Sequence, residues 1–479
     1  MTDETHDMGA KAQMEEDMKR SKIVGLLAIL AMLVAACADG DAEGTTTTAE
    51  ADEPTTTEAP AEPTTTEAME EPTTTEGGDA ESPLVEFGED PSAADPALVE
   101  KALGPVEPSD AASWDIVLAS IARAEQELDQ ATIDVAMECY NNTECDTGSG
   151  GELVMGYADG GGKTVNVWRG VSRMEAILQA LTYPEIGKIV TTEANFDQDP
   201  AVHVNGINFL VQYPVSFIVG YPDFGAALAP AVQAAEEAGI PYISFSAGYV
   251  GLPGTEGALV PGEDYTSVVG EDLCALGESF AEVLNGAVAE GDVGLLGGTP
   301  NNALTLGWQQ CIIPALEAGV ANPPPNENTT AGDTFWVNSF ALDAVRGLLT
   351  TNPDIGGWAY EYSDGLYTAL QAYDELGIPV QNLSIALRTD EQTLFCDWAD
   401  RGEATYNIWY SAGGNFQSRT GVTTAMLALQ GADVPGEVTV PHVMRAVTAD
   451  DCDPDRVNPV VSGTSLVPND VLALMFSGG

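Results

Sequence analysis

Residues 217–243 read FIVGYPDFGAALAPAVQAAEEAGIPYI, and this stretch predicts a parallel β-sheet. An apolar strand ends at Gly220, a polar turn follows, and residues 226–238 have the composition of a helix. A second apolar strand covers residues 241–245. A strand, a helix and another strand in this order are typical of a crossover connection, which places the two strands side by side and parallel.

The same alternation continues on both sides of this stretch, in two series. The first series has strands at 152–157, 186–192, 215–220 and 241–245, and the second at 266–269, 293–296, 335–337, 355–360 and 383–387. Strands that alternate with helices of this length predict parallel sheets with helices on both faces. We therefore predict an α/β fold with two doubly wound parallel-sheet lobes joined by a three-segment hinge, near 247–262, 388–404 and 436–446.

The predicted domains follow from this pattern together with the composition of the remaining segments. They are a signal peptide at 1–36, a lipidated cysteine and disordered tether at 37–110, a helical extension at 111–150, an N-terminal lobe at 151–248 with about 411–436, and a C-terminal lobe at 260–409 with about 441–479.

The beginning of the chain predicts export and a lipid anchor. The basic residues Lys19, Arg20 and Lys22 precede an apolar run at 23–34, and Val34-Ala35-Ala36-Cys37 resembles the cleavage site of a bacterial lipoprotein. The apolar run is shorter than the roughly 20 residues of a membrane-spanning helix, which is the alternative interpretation. Met18 then looks like the functional start. Behind Cys37, three PTTTE copies predict a disordered tether.

The charge of the chain excludes nucleic acid as a partner. The formal net charge is −59, and beyond residue 110 the only lysines are Lys163 and Lys188. Binding to phosphates requires basic patches, which this composition lacks. Acidic surfaces with few lysines are compatible with salty surroundings, because salt screens the repulsion between like charges.

Six cysteines besides Cys37 predict disulfides, because their number is even and the chain is predicted to be exported. We favour the pairs Cys139–Cys145, Cys274–Cys311 and Cys396–Cys452, although six cysteines allow 15 pairings. A zinc site is the alternative, but the sequence has no CxxC motif. We expect no metal and no cofactor.

Polar and aromatic side chains follow the predicted strands, where ligands bind in open parallel sheets. The segments concerned are 157–159, 221–224, 245–246, 298–302, 360–364, 388–390 and 409–411. Residues 157–164 read YADGGGKT, which fails the phosphate-loop pattern because its first position is Tyr157. We expect this loop to cover a cleft, with Asn166, Trp168 and Arg169 near the ligand. The sequence contains neither a GxSxG nor an HExxH motif, either of which would indicate an enzyme. We therefore predict a binding protein.

Several of these segments resemble the type I periplasmic binding proteins, which include the ribose-, galactose- and xylose-binding components of ABC importers. Residues 217–232, continuing to Pro241, are similar to the family's strand and PxDxxAlxPaV block. Asn352-Pro353-Asp354-Ile355 and the helix at 366–372 are similar to a second family block. The resemblance covers roughly residues 150 to 450.

The resemblance implies ligand contacts by Asp223, by Asp390, and by Tyr362 or Ser363. The family's usual Asn-Asp pair is replaced here by Tyr362-Ser363-Asp364, and Thr389 stands where a glycine precedes the aspartate. The further candidates are the strand-end and loop residues Tyr157, Asp159, Trp168, Arg169, Tyr221, Trp409 and Tyr410. Carboxylates orient sugar hydroxyls, and aromatic faces cover the apolar surface of a sugar ring.

The predicted function is therefore a lipid-anchored, extracytoplasmic solute-binding protein, a monomer that delivers a sugar or polyol to an ABC permease. One alternative is a binding protein for an amino acid, a nucleoside or a signalling molecule. Another is a sensory lipoprotein that does not take part in transport.

Overall fold

The computed structural model describes residues 82–108, 110–194, 199–288, 292–316, 333–381, 383–402, 406–453 and 461–477. The predicted signal peptide, Cys37 and the PTTTE repeats lie outside the described residues. Within the described residues, no helix has both the length and the apolar character needed to cross a membrane.

Seven strands form the first sheet, in the order β1-β3-β2-β4-β5-β6-β11. All neighbours are parallel except β1, which is antiparallel to β3. The strands are β1 (Glu144–Asp146), β2 (Leu153–Asp159), β3 (Ile186–Glu193), β4 (Phe217–Tyr221), β5 (Tyr242–Ser244), β6 (Ser267–Gly270) and β11 (Glu437–Thr439).

Helices cover both faces of this sheet, which carry separate apolar cores. The helices α2 (Ala111–Ala124), α4 (Val167–Leu181) and α13 (Gln417–Gln430) pack together on one face. The helices α5 (Pro200–Gln212) and α6 (Ala229–Glu237) pack on the other. Sheet and helices together form the N-terminal lobe.

Five strands form the second sheet, in the order β12-β10-β9-β8-β7, with β12 antiparallel and the others parallel. They are β7 (Asp292–Leu295), β8 (Ile355–Tyr360), β9 (Leu383–Leu387), β10 (Tyr406–Tyr410) and β12 (Arg445–Ala446). The helices of this lobe are α7 (Leu273–Ala287), α8 (Ala303–Ala315), α9 (Asn338–Thr351), α10 (Ser363–Ala369), α11 (Gln371–Leu376) and α12 (Gln392–Arg401). Two mainly parallel sheets with helices confirm the predicted α/β class.

The chain passes between the sheets at 271–272, 411–416 and 440–444. The third crossing agrees with the prediction, whereas the first two differ from 247–262 and 388–404. Strand β6 pairs with β5 and β11 in the first sheet, and β10 pairs with β9 in the second. The pattern of a short apolar strand does not reveal which of two parallel sheets it joins, so the first two crossings were predicted too early.

Residues 82–110 are not the disordered tether that the composition predicted. They contain two 3₁₀ helices, Pro83–Phe87 and Pro91–Ala93, and the helix α1 (Pro96–Leu103). Glu89 is 2% exposed and accepts from Arg123 Nε at 2.7 Å. The predicted helix at 111–139 is in fact α2 followed by α3 (Gln130–Asn141).

The predicted strand at 335–337 is a turn. Phe335 and Trp336 have positive φ angles of 52° and 55°, which no strand residue adopts. The turn instead directs the Trp336 ring toward the second lobe's strand ends, where its indole N–H meets Glu361.

A C-terminal strap, residues 461–467, contacts both lobes before the last helix, α14 (Asn469–Phe476). Ser462 and Thr464 donate to Asp390 in the C-terminal lobe. Ser465 Oγ and the Leu466 amide donate to Glu175 of α4 in the N-terminal lobe, at 2.9 and 2.7 Å. The strap is therefore a further connection between the lobes.

Three disulfides join Cys139–Cys145, Cys274–Cys311 and Cys396–Cys452. The favoured pairing is confirmed.

Candidate functional site

A cavity lies between the two lobes, at the carboxyl ends of their strands. The residues that line it are Asn166, Trp168, Arg169, Tyr221, Ser246, Leu304, Trp336, Glu361, Tyr362, Arg388 and Thr389. We call it the interlobe cavity. Both sheets contribute, because Tyr221 ends β4 of the first sheet while Glu361 and Arg388 follow β8 and β9 of the second.

Arg169 lies on the N-terminal side of the cavity, in an ion cluster with Asp159 and Asp223. It is 4% exposed, its Nη1 donates to Asp159 and to Asp223, the latter at 3.1 Å, and its Nη2 donates to Asp223. The Asn166 side chain caps α4 and accepts from the Arg169 amide, which fixes the start of the helix. Burial, opposed by Arg169, raises the pKa of Asp223 to about 6.

Arg388 lies on the opposite side and reaches across to the other lobe. Its Nη2 donates to Ser246 Oγ at 2.9 Å and to Glu271 Oε2 at 2.8 Å. Ser246 follows β5, and Glu271 lies in the first crossing. Burial alone would raise the pKa of Glu271, but Arg388 outweighs burial and lowers it. Arg388 Nε is buried and has no hydrogen-bond partner among the described residues.

Glu361 is the carboxylate that lines the cavity directly. It is 2% exposed and accepts from the indole N–H groups of Trp308 at 2.6 Å and Trp336 at 2.5 Å. Burial raises its pKa, and these hydrogen bonds oppose the rise. The two indoles hold the carboxylate at a fixed position beside Trp336.

Aromatic rings form the walls of the cavity. Tyr221 contacts Trp168 of its own lobe and Trp336 of the other, with ring centroids 6.1 and 5.9 Å apart. The indole N–H of Trp168 is buried and has no hydrogen-bond partner among the described residues. An unpaired donor beside aromatic faces is suited to a ligand with hydroxyl groups and an apolar ring surface.

The charges around the cavity disfavour an anionic ligand. Two arginines, Arg169 and Arg388, face four carboxylates, Asp159, Asp223, Glu271 and Glu361. Each guanidinium is already bound to at least one carboxylate, so neither is available as a full charge for an anion. Among the described residues, no group of three or more metal-ligating side chains could hold a metal ion.

Four of the predicted site residues line the interlobe cavity, namely Trp168, Arg169, Tyr221 and Tyr362. Three others lie behind its N-terminal wall. Asp159 and Asp223 hold Arg169, and the ring of Tyr157 is 1% exposed and stacks on Phe245.

The remaining four predicted residues lie away from the cavity lining. The Asp390 carboxylate accepts from the C-terminal strap, and Ser363 Oγ bonds to Glu391. Tyr410 donates to Asp451 at 2.5 Å, and Trp409 pairs with Ala446 in the sheet. The strap and β12 occupy the strand ends beside these residues.

Sequence reasoning did not select Arg388, Glu361 or Ser246 as site residues, and it named Trp336 only among the aromatic residues near predicted strand ends. Arg388, Glu361 and Ser246 stand in strand-end segments that were named as candidates, so their position was predicted but not their role. Trp336 follows no strand at all. The signal that could have selected Arg388 is its rarity, because an arginine directly after a buried strand of an acidic chain needs a partner.

Comparison with known proteins agrees with this architecture. The model of a family described as the periplasmic binding protein domain matches residues 167–433. A comparison with the curated proteins finds no match.

Three solved structures illustrate the similarity of fold. The ABC transporter periplasmic solute-binding protein from Actinobacillus succinogenes with bound D-allose has 19% identity and a TM-score of 0.50, covering 63% of this chain and 99% of its own. A protein from Mycobacterium smegmatis in complex with β-D-fucofuranose has 18% identity and a TM-score of 0.51, covering 63% and 93%. The ABC transporter solute-binding protein from Agrobacterium vitis with bound D-fucose has 16% identity and a TM-score of 0.52, covering 64% and 99%.

Proposed function

The chain belongs to the periplasmic binding protein family, and from this premise we propose that it binds a neutral sugar or polyol between its lobes and delivers it to an ABC permease. Members of this family bind solutes and do not transform them, which agrees with the prediction of a non-enzymatic protein. The observation that carries the proposal is the interlobe cavity, in which neutralised arginines, one carboxylate and aromatic rings face each other.

In this proposal, each wall of the cavity contacts a different part of the ligand. The Trp168 N–H and the Arg388 Nε group donate to ligand hydroxyls, and Glu361 accepts from them. Tyr221 and Trp336 cover the apolar face of the ring. The proteins of similar fold that carry D-allose, β-D-fucofuranose and D-fucose support a sugar over an amino acid or a nucleoside.

Ligand binding is coupled to contact between the lobes in this mechanism. Residues from both lobes line the cavity, so a ligand that touches both favours the closed arrangement. Polar contacts between the lobes hold that arrangement, among them Arg388 with Ser246, the Asn302 amide with the Asp223 carbonyl at 2.9 Å, and the Asn166 amide with the Trp336 carbonyl at 3.3 Å. The permease recognises the closed lobes, and the lipid on Cys37 keeps the protein at the membrane.

The test is a thermal-shift screen of the protein in high salt against sugars, polyols, amino acids and nucleosides. A ligand that binds only the folded state adds about 2.7 kcal/mol of stability at a hundredfold excess over its Kd. We expect a shift with one class of neutral sugars. Shifts with amino acids or nucleosides alone would contradict the sugar assignment.

A pair of glutamate variants localises the site. Glu361→Gln removes the cavity carboxylate, and we expect roughly a tenfold or larger loss of sugar affinity, since a hydrogen bond to a charged group contributes about 1.5–3 kcal/mol. Glu375→Gln is the matched control, because Glu375 is 47% exposed and pairs with Arg346 at the surface. Equal affinities of both variants would show that the ligand binds elsewhere.

A further inference from the structure

A second, larger cavity adjoins the interlobe cavity. The two share the side chains of Asn166 and Tyr362, which therefore stand between them. The contact that Asn166 makes across this boundary is its 3.3 Å hydrogen bond to the Trp336 carbonyl. A ligand in the first cavity that extends past these two residues enters the second.

Two segments outside the family match help to build this second cavity. Tyr140 comes from α3, near the beginning of the described chain, and Phe476 is the last residue of α14. Both residues lie outside the part of the chain that the family model matches, residues 167–433. The helices α3 and α14 pack against each other, which places Tyr140 and Phe476 on the same side of the cavity.

The other lining residues resemble those of the interlobe cavity in chemistry. Asn338 donates to Asp364 Oδ2 at 2.7 Å, and Tyr362 donates to the same oxygen at 3.3 Å. Lys163 provides one cation, Asp364 one carboxylate, and Tyr367 a further aromatic ring. Aromatic faces with amide and carboxylate groups of balanced charge suit a neutral sugar ring.

On the basis of the proposed function, we propose that the ligand is a neutral glycoside of two or more rings. Its first ring lies in the interlobe cavity, and its next ring lies in the second cavity against Phe476 and Tyr367. The walls that Tyr140 and Phe476 provide thus select a ligand longer than a monosaccharide.

Isothermal titration calorimetry in high salt tests this with glucose and galactose beside the disaccharides maltose, cellobiose, lactose and melibiose. We expect at least one disaccharide to bind about tenfold tighter than either of its monosaccharides, which corresponds to the contacts of one additional ring. Phe476→Ala should abolish this difference while leaving the Kd of the monosaccharide unchanged. Leu474→Ala is the matched control, because Leu474 lies on the same helix, is 43% exposed and does not line the cavity.

A second variant fills the second cavity, whereas Phe476→Ala enlarges it. Ser339 is an exposed lining residue at the beginning of α9, and Ser339→Trp places an indole where the outer ring would lie. It should weaken disaccharide binding and leave monosaccharide binding unchanged.

The outcomes separate this inference from the proposed function. Monosaccharides that bind as tightly as their disaccharides would overturn the inference and leave the proposed function intact, as would a disaccharide preference that survives both Phe476→Ala and Ser339→Trp. Absence of binding by every sugar would overturn both.

Discussion

Arg169 and Arg388 face the same cavity, are 4% and 2% exposed, and differ in every contact they make. Arg169 binds two carboxylates of its own lobe. Arg388 binds one carboxylate in a crossing segment and one hydroxyl of the opposite lobe, and its Nε has no partner among the described residues. A guanidinium has five N–H donors, so the first arginine is used mainly within its lobe while the second retains a donor.

The difference indicates separate roles for the two cations. The Arg169 cluster belongs to the N-terminal lobe alone, and its ion pairs do not depend on how the lobes approach each other. Arg388 connects the lobes, and its contacts with Ser246 and Glu271 change when the lobes move apart. Removal of Arg169 should therefore affect stability most, and removal of Arg388 should affect binding most.

The largest effect is expected for Arg169→Met. The substitution leaves Asp159 and Asp223 buried together without a cation, and we expect the free energy of unfolding to fall by about 3–5 kcal/mol. Denaturant unfolding at neutral pH and constant high salt measures it. A loss below about 1 kcal/mol, the range of exposed ion pairs, would contradict this account of the cluster. Arg346→Met at the surface provides that reference, since Arg346 is 37% exposed.

The pH dependence of stability gives a second test of the region around Arg169. His203 is buried near this cluster, with Asp159 and Arg169 as its charged neighbours, and burial lowers its pKa to about 4. The unfolded chain then binds the proton more tightly, so stability falls as the pH drops from 6.5 towards 4. One pKa unit corresponds to about 1.4 kcal/mol, so the fall in pKa from 6.5 to about 4 limits this loss to about 3.4 kcal/mol.

The variant His203→Leu should remove this decrease in stability at low pH. Asp223 acts in the opposite direction, because its raised pKa makes the folded state the tighter proton binder, and its contribution to stability declines as the pH rises from 3.8 to about 6. The difference in unfolding free energy between wild type and His203→Leu isolates the contribution of the histidine to the pH dependence of stability. A difference that does not change between pH 7 and pH 4.5 would refute the prediction.

For Arg388→Met we expect a smaller cost in stability and a larger one in binding. One buried carboxylate, Glu271, loses its partner, and the cavity loses its connection to Ser246. Unfolding should become easier by about 1–3 kcal/mol, and ligand affinity should drop about 10- to 100-fold. If Arg388→Met destabilised the protein more than Arg169→Met, the assignment of roles would be reversed.

The smallest effect is expected for Trp168→Phe. The phenyl ring keeps most of the aromatic wall and removes only the unpaired indole N–H. Affinity should fall by about twofold to tenfold, as for the loss of one neutral hydrogen bond, with no change in unfolding. An unchanged Kd would mean that this N–H does not meet the ligand.

The sequence allowed most of the fold to be predicted, because the evidence is local. The alternation of strands and helices is visible in windows of a few residues, and the favoured disulfide pairing joins each cysteine to the next one along the chain. The sheet to which β6 belongs was not predictable, because Ser267–Gly270 is equally apolar in either environment. The turn at Trp336 was mistaken for a strand, since its residues are those that strands prefer.

The site was less predictable, because it depends on which side of a strand end faces the other lobe. Arg388 and Asp390 are two residues apart, yet Arg388 lines the cavity and Asp390 bonds to the C-terminal strap. The strap comes from residues more than seventy positions away, as the separation of Asp390 and Thr464 shows. No local pattern contains that information.

The three disulfides have a consequence for the behaviour of the protein under reducing conditions. Cys139–Cys145 lies within the N-terminal half, and the other two bonds join elements on the C-terminal side, α7 to α8 and α12 to the segment after β12. None of the three joins one lobe to the other. Reduction should therefore make each lobe easier to unfold, by about 2–4 kcal/mol for a typical bond, while the path of lobe movement stays the same.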